Sequence, residues 1–369
     1  MQGNGKISNS QFTSLVTLFI IGTSILLVPE ITALAAKQDA WMTSILGLFL
    51  GLPIIFLYNK MVASFQEGDF FSYIDKILGY WLGKILAISF FIYFLILSAL
   101  LIRQVSHFAV TQSFPETPKG IIITLFIFVV ILGARYGVET LARTGELLFP
   151  WAFLLLSILL IALIPELKIE RLFPILENGI KPVLLGTYSS LGLPYLELFL
   201  FLFIIPYINK PQNSGKAFYT GLLIGGVVLF LITFYAILTL GGEATGRNQF
   251  PSYGMAKTIS IGNIIERIES FLAAIWFITI YMKSALTFYC TSLCLAHVFN
   301  LKEKKFLMVP LGFILIFLTL YISPNIAYFN DFITKTWTLY SGTMGVLIPL
   351  LLVTFAAFKN WKKGRVQNA

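Results

Sequence analysis

Of the 369 residues, 57% are apolar and only 12% are charged, against roughly 45–50% and about 25% in soluble domains, so the chain cannot hide its apolar surface in water. A membrane span uses about 20 residues, and ten spans with short loops nearly exhaust the length, which excludes a sizeable soluble domain. The net charge of +9 would suggest a nucleic-acid partner in a soluble protein, but here the basic residues sit in loops between apolar runs, where the lipid bilayer accounts for them.

Apolar runs fall at 11–36, 41–64, 85–112, 120–134, 144–165, 184–208, 214–241, 263–299, 306–323 and 333–358, separated by charged or Pro/Gly-containing stretches. They predict an all-α integral membrane protein of about ten transmembrane helices, a single polytopic domain over 1–369. No cleavable signal pattern precedes the first run, so the N-terminus is expected to stay in the cytoplasm. An even number of spans puts both termini on one side. The loops of that side hold fifteen Lys and Arg against nine on the other, densest at Lys302, Lys304, Lys305 and the C-terminal cluster, which makes it the cytoplasmic side.

Taken in order, the first span carries Ile-Gly-Thr-Ser-Ile-Leu-Leu-Val-Pro at 21–29, a glycine, two hydroxyls and a proline in mid-membrane. A helix interrupted there exposes backbone groups that lipid cannot satisfy, so the break has to be buried in protein or line a cavity. The stretch 68–84 sets Phe70, Phe71, Tyr73, Ile74, Ile77, Leu78 and Trp81 among Asp69, Asp75 and Lys76, and is expected to lie along the membrane interface. The third span contains Tyr93, Ser98 and the intramembrane Arg103, with Gln104 and His107 toward its outward end. Between the fourth and fifth spans, Glu139 precedes Arg143 by four residues in a loop, 135–146, that reads as a solvated turn.

The sixth span, Tyr-Ser-Ser-Leu-Gly-Leu-Pro-Tyr-Leu-Glu at 188–197, repeats the device of the first. Gly221, Gly225 and Gly226 in the seventh span and Ser-Gly-Thr-Met-Gly at 341–345 in the tenth read as helix contact faces. Asn263 is placed to cap the eighth span, along which Thr279, Lys283, Thr287 and Cys294 form one stripe, with Ser284 and Thr291 beside it. Cys290 and Cys294 lie one turn apart in that apolar run and read as packing residues.

A single Gly/Pro interruption is common in membrane helices and makes kinks without ligands. Two at matched positions point instead to inverted five-helix repeats, approximately 11–165 and 184–358, with a small-ligand site at their interface. Freed N–H groups at a half-helix N-terminus attract a carboxylate, and unwound carbonyls accept an ammonium group or an ion; an α-amino acid carries both charges. The candidate ligand contacts are Gly22, Thr23, Ser24 and Ile25 of the first span, Tyr93 and Ser98 of the third, Gly192, Leu193, Pro194 and Glu197 of the sixth, and Lys283, Ser284 and Thr287 of the eighth.

Arg103, Glu197 and Lys283 each cost at least ~2.5–3.5 kcal/mol at a helix centre, so each faces protein or a water-filled cavity. Two readings of Lys283 stand side by side: a structural ion pair with Glu197, or a fixed ammonium in place of a coupling cation. Catalytic constellations, metal-ligand spacings and phosphate-binding loops are missing from the sequence, so neither an enzyme nor a metal or cofactor is expected, and no nucleic acid.

The chain resembles the B subunit of spore germination (GerA-type) nutrient receptors, a branch of the amino acid/polyamine/organocation transporter superfamily. Carrying the resemblance are residues 21–29, Ile-Leu-Gly-Tyr-Trp-Leu-Gly-Lys at 77–84, Gly-Val-Glu-Thr-Leu-Ala-Arg at 137–143, Glu197 with Ile-Ile-Pro-Tyr-Ile at 204–208, Phe-Pro-Ser-Tyr at 250–253 and Ile-Glu-Arg-Ile-Glu at 265–269. The resemblance implies a bundle of inverted five-span repeats in the inner membrane of a bacterial endospore, assembled with A and C subunits. It implies that the chain binds a small-molecule nutrient, commonly an amino acid, where a transporter holds substrate. An amino-acid/cation symporter using the same site is the alternative; a purely structural scaffold leaves the paired breaks unexplained.

Overall fold

Inside a bilayer no water receives backbone N–H and C=O groups, so each segment has to pair its own, and helices follow. The computed structural model describes residues 6–64, 68–259 and 268–367. Among these, the one β-type pairing is an isolated bridge between Ile7 and Ile208. The helices are α1 (Asn9–Ala36), α2 (Ala40–Ala63), α3 (Phe70–Leu78), α4 (Tyr80–Phe108), α5 (Lys119–Tyr136), α6 (Val138–Leu163), α7 (Lys181–Leu191), α8 (Ser214–Leu240), α9 (Gly242–Arg247), α10 (Pro251–Ala256), α11 (Glu269–Val298), α12 (Met308–Tyr321), α13 (Ile326–Asp331), α14 (Thr338–Gly342) and α15 (Ile348–Gln367). The last three run on as one rod, joined by π-helical turns at Phe332–Trp337 and Thr343–Leu347.

Among the described residues eight stretches are long and apolar enough to cross a membrane, the first of them holding both α1 and α2; the shorter apolar Lys305–Tyr321 brings the helices to ten. They follow the ten apolar runs, but α4 starts at Tyr80 rather than 85, α6 at Val138 rather than 144 and the last span at Ile326 rather than 333. The start expected for the eighth span, with the capping Asn263, lies outside the described residues.

Burial orders the bundle. α1 is almost wholly enclosed, with Phe12, Leu15, Val16, Leu18, Phe19 and Ile20 all inaccessible, whereas α5, α6 and α12 turn Leu125, Phe128, Leu154, Ile161, Phe313 and Phe317 outward. An apolar outer face on a ring of helices is what hydrocarbon solvates. A capping box starts α1: Ser8 Oγ accepts from Gln11 N at 3.1 Å and Gln11 Oε1 accepts from Ser8 N at 2.9 Å.

Two local expectations are revised. The amphipathic helix α3 does not turn its apolar face to lipid: Phe70, Phe71, Tyr73 and Ile74 are buried, Phe70 and Phe71 packing on Phe203 at 4.8 and 5.3 Å between ring centroids. Glu139 and Arg143, 2.6 Å apart, belong to helix α6 rather than to a loop. Gly137, at φ 92°, makes the whole turn between α5 and α6, and a conformation of that sign is open to glycine without cost.

The glycine faces are close contacts. A Cβ on Gly221 would lie 2.7 Å from Val16 Cβ, one on Gly225 2.8 Å from Ile20 Cβ, and one on Gly345 against the Leu196 carbonyl oxygen. So α8 presses on α1, and the terminal rod on the sixth span, at backbone distance, the arrangement small residues permit. Overpacking such a seam costs about 1–3 kcal/mol. Gly225→Leu is expected to lower the thermal unfolding midpoint of the detergent-solubilised protein accordingly, while Gly120→Ala, whose Cβ meets nothing within 4 Å, leaves it unchanged. Equal midpoints for the two variants would show that the seam does not limit stability.

Candidate functional site

The first break is a single residue wide. Gly22 has φ −1° and ψ −109°, and the helix continues on both sides of it. Two turns later Pro29 lacks the N–H that would donate to the Ile25 carbonyl; the Ser252 hydroxyl of α10 donates to that oxygen instead. Thr23, Ser24 and Ile25 are all buried. The sixth span breaks more openly. Helix α7 ends at Leu191, a turn occupies 192–195, and the chain resumes as a 3-10 helix over Leu196–Phe203. Here Pro194 cannot bond the Ser190 carbonyl, which takes Leu193 N at 3.2 Å. Gly192 is a close-approach residue, since a Cβ there would come within 2.9 Å of Thr338 Cα.

Lys283 joins the two breaks. Its stem crosses the bare face of Gly22, where a Cβ would sit 2.7 Å from Lys283 Cδ. Its ammonium donates to the freed Leu193 carbonyl at 3.1 Å and lies 2.6 Å from Glu197 Oε2, both side chains having no exposed surface. The Phe19 ring, 4.8 Å away, covers the remaining side. The buried pair with Glu197 is formed, and it is compatible with a fixed ammonium in place of a coupling cation.

From Glu197 the polar chain continues: Trp337 Nε1 donates to Oε1 at 2.8 Å, the Trp337 ring stacks on Tyr93 at 5.0 Å, and the Tyr93 hydroxyl shares a hydrogen bond of 2.8 Å with Ser341 Oγ. Spans one, three, six, eight and ten are thus tied through one network. A buried pair whose remaining lone pairs and protons are answered is the form in which charge is tolerated in low dielectric.

Beside this network lies a small central cavity lined by Thr23, Leu193, Glu197, Trp337, Phe329 and Ile333, among others, with room of about 10 Å³. That holds about one water and no amino acid. The hydroxyls of Thr23, Ser24, Ser98 and Ser284 are buried without a hydrogen-bond partner, a state that buried polar groups seldom keep. Thr287 differs: its hydroxyl donates to the Lys283 carbonyl at 2.8 Å. Thr291 and Thr279 likewise bond their own helix. Gly192 and Pro194 shape the backbone and offer no polar side chain.

The two ends of the bundle differ. At the end carrying the N-terminus, Ile7 N donates to Tyr207 O at 2.8 Å and Asn209 N to Ile7 O at 2.9 Å. Phe12 and Phe19 each meet Phe201 at 5.3 Å, and Lys304 Nζ lies 2.6 Å from the Tyr289 hydroxyl, 4.0 Å from its ring centroid. Burial there pushes the Lys304 ammonium down to about 8. At the opposite end a cavity of about 270 Å³ opens beside Arg103, and Phe329 lines both it and the central space. Arg103 belongs to that outer cavity, not to the Lys283 network.

Sequence reasoning named neither Trp337, Phe19 nor Phe329, and Ser252 only as part of the motif at 250–253. For Trp337 a signal existed: an indole N–H in an apolar span needs an acceptor, and Glu197 is a buried one.

A model of the family described as "Spore germination protein" matches residues 6–327. Spore germination protein KB of Bacillus subtilis is 29% identical over 368 residues, covering 99% of this chain and 97% of that protein. Spore germination protein XB of Bacillus anthracis is 23% identical over 357 residues, covering 94% and 98%. Among solved structures, MhsT in complex with L-phenylalanine superposes with a TM-score of 0.69 at 13% identity, covering 93% of this chain and 89% of that one. A Na+-coupled sialic acid symporter in a substrate-bound outward-open state does so with 0.70 at 11%, covering 93% and 78%. Identities this low speak for fold alone, and the fold is that of an all-α membrane transporter. The chain belongs to the spore germination protein family.

Proposed function

We propose that the chain is the membrane subunit of a spore germinant receptor that binds a small nutrient, an amino acid, between its broken helices and signals through partner subunits. The observation carrying this reading is Lys283, whose ammonium bonds the freed Leu193 carbonyl and Glu197 while its stem fills the Gly22 break. A cation built into the chain supplies locally the charge that a cation-coupled transporter draws from solution, and it stays when the ligand leaves. That suits a sensor, which needs differential affinity for two states and not turnover.

In this reading the central space widens when Phe329 and the terminal rod move. The ligand carboxylate then meets the backbone N–H groups beside Gly22, and its polar groups partner the hydroxyls of Thr23, Ser24, Ser98 and Ser284. An amino acid is supported by the likeness to MhsT, which was solved with L-phenylalanine. Two inverted repeats, 11–165 and 184–358, account for the matched breaks. Both termini face the cytoplasm, as the distribution of Lys and Arg supports, and the membrane is the spore inner membrane. The partners are A and C receptor subunits, and no catalytic role is proposed. The second reading, an amino-acid/cation symporter, draws on the fold, which the chain shares with transporters.

Reconstitution separates the two. Proteoliposomes containing the purified chain are expected not to accumulate labelled L-alanine or L-phenylalanine against a gradient; accumulation would make the chain a symporter. Gly22→Leu is expected to abolish the nutrient response of spores while the protein still reaches the membrane, because its side chain displaces Lys283; an unchanged response would remove the first break from the site. Lys283→Met leaves the Glu197 carboxylate buried and alone, at about 3–5 kcal/mol. The double variant Lys283→Met/Glu197→Gln is expected to recover that stability in thermal unfolding without recovering the response. Recovery of both would make the pair purely structural.

A further inference from the structure

The outer cavity has the chemistry of a second site. Arg103 projects into it from α4, and its Nη2 donates to the Ser323 carbonyl at 2.9 Å. A guanidinium has five N–H donors, and among the described residues no carboxylate pairs with this one. Gln104, beside it, is 3% exposed, lines the same space, and has both amide atoms buried without a partner. His107, one turn on, lines the same space. Lys119, at the start of α5, adds a second cation at the rim, and among the described residues neither Asp nor Glu lines the space. Asn330 of the wall donates from Nδ2 to Glu30 Oε1 of α1 at 3.1 Å.

We infer that this cavity is a binding site for a small carboxylate, separate from the central one. Its volume of about 270 Å³ falls just below the ~300–1,000 Å³ of sites for drug-sized ligands, which suits a molecule of a few heavy atoms. An anion is the occupant that answers two cations facing a wall without acids among its described residues. A carboxylate matches the planar fork of Arg103 in a two-pronged contact, and Gln104 has an amide N–H left to give it. The inference does not rest on the central site: the two spaces have Phe329 in common, while Arg103 and Gln104 line the outer one and Glu197 the inner.

The test is calorimetric titration of the purified full chain in phosphatidylcholine nanodiscs, at fixed ionic strength, with succinate and with its uncharged diamide, succinamide. Succinate is expected to bind and succinamide to bind about tenfold more weakly or not at all. Arg103→Gln is expected to weaken succinate by about ten- to a hundredfold, whereas Gly22→Leu, which fills the inner site, leaves its affinity unchanged. Should Arg103→Gln fail to fold, Lys119→Gln at the exposed rim is expected to weaken succinate by about threefold. No succinate binding by the wild-type chain, equal binding of succinamide, unchanged affinity in the folded Arg103 or Lys119 variant, or loss of binding in Gly22→Leu would overturn the inference; the first three say nothing of whether the inner site holds a nutrient, and the last would place succinate there.

Discussion

An ammonium group enclosed by helices has to be answered within about 3 Å or it loses its charge. Lys283 is answered twice, by a carboxylate and by a carbonyl, and both come from the interrupted sixth span. The unwinding at 192–195 is what frees that carbonyl, and the missing side chain at Gly22 is what lets the lysine stem pass. Neither irregularity is stable alone in a membrane; together with one long cation they satisfy each other. Glu197 then extends the constraint to Trp337 and, by ring stacking, to Tyr93, so the terminal rod and α4 are registered against the same charge.

The sequence was informative where the cause is local. A span declares itself by its apolar length, and glycine or proline declares a break at its own position, so ten helices and both interruptions were readable without coordinates. Long-range partners left no comparable mark. Ser252 opposite the Ile25 carbonyl depends on how helices pack, and no period or spacing encodes that; Lys283 opposite Glu197 was legible, as one of two readings, only because intramembrane charges are so few. The apolar face of α3 was visible, but amphipathicity says only that a face avoids water, not whether lipid or protein covers it. Trp337 was hidden for a related reason, being one aromatic residue in a span rich in them.

The asymmetry between the two ends bears on access. At the N-terminal end the seal is several layers thick: a backbone pairing at Ile7, a cluster of phenylalanines around Phe201, and Lys304 beneath two tyrosines. At the other end the partition between a polar cavity and the Lys283 network is little more than the Phe329 ring and its neighbours. A molecule entering from the thin side has Phe329 and its neighbours to displace, and one entering from the thick side has several packed layers to undo.

Phe329 stands just ahead of the π-helical turn Phe332–Trp337, and a second such turn, Thr343–Leu347, follows Ser341. A π turn carries one residue more than an α turn over the same rise. If that surplus residue passes from one wide turn to the other, the segment between them rotates by about 100° about its own axis without any span being broken or lengthened. Trp337 and Ser341 would then swing away from Glu197 and Tyr93 together. The rod is in this sense a bearing, held at its present angle by packing and by the hydrogen bonds of Trp337 to Glu197, Ser341 with Tyr93 and Thr338 to the Ser189 carbonyl.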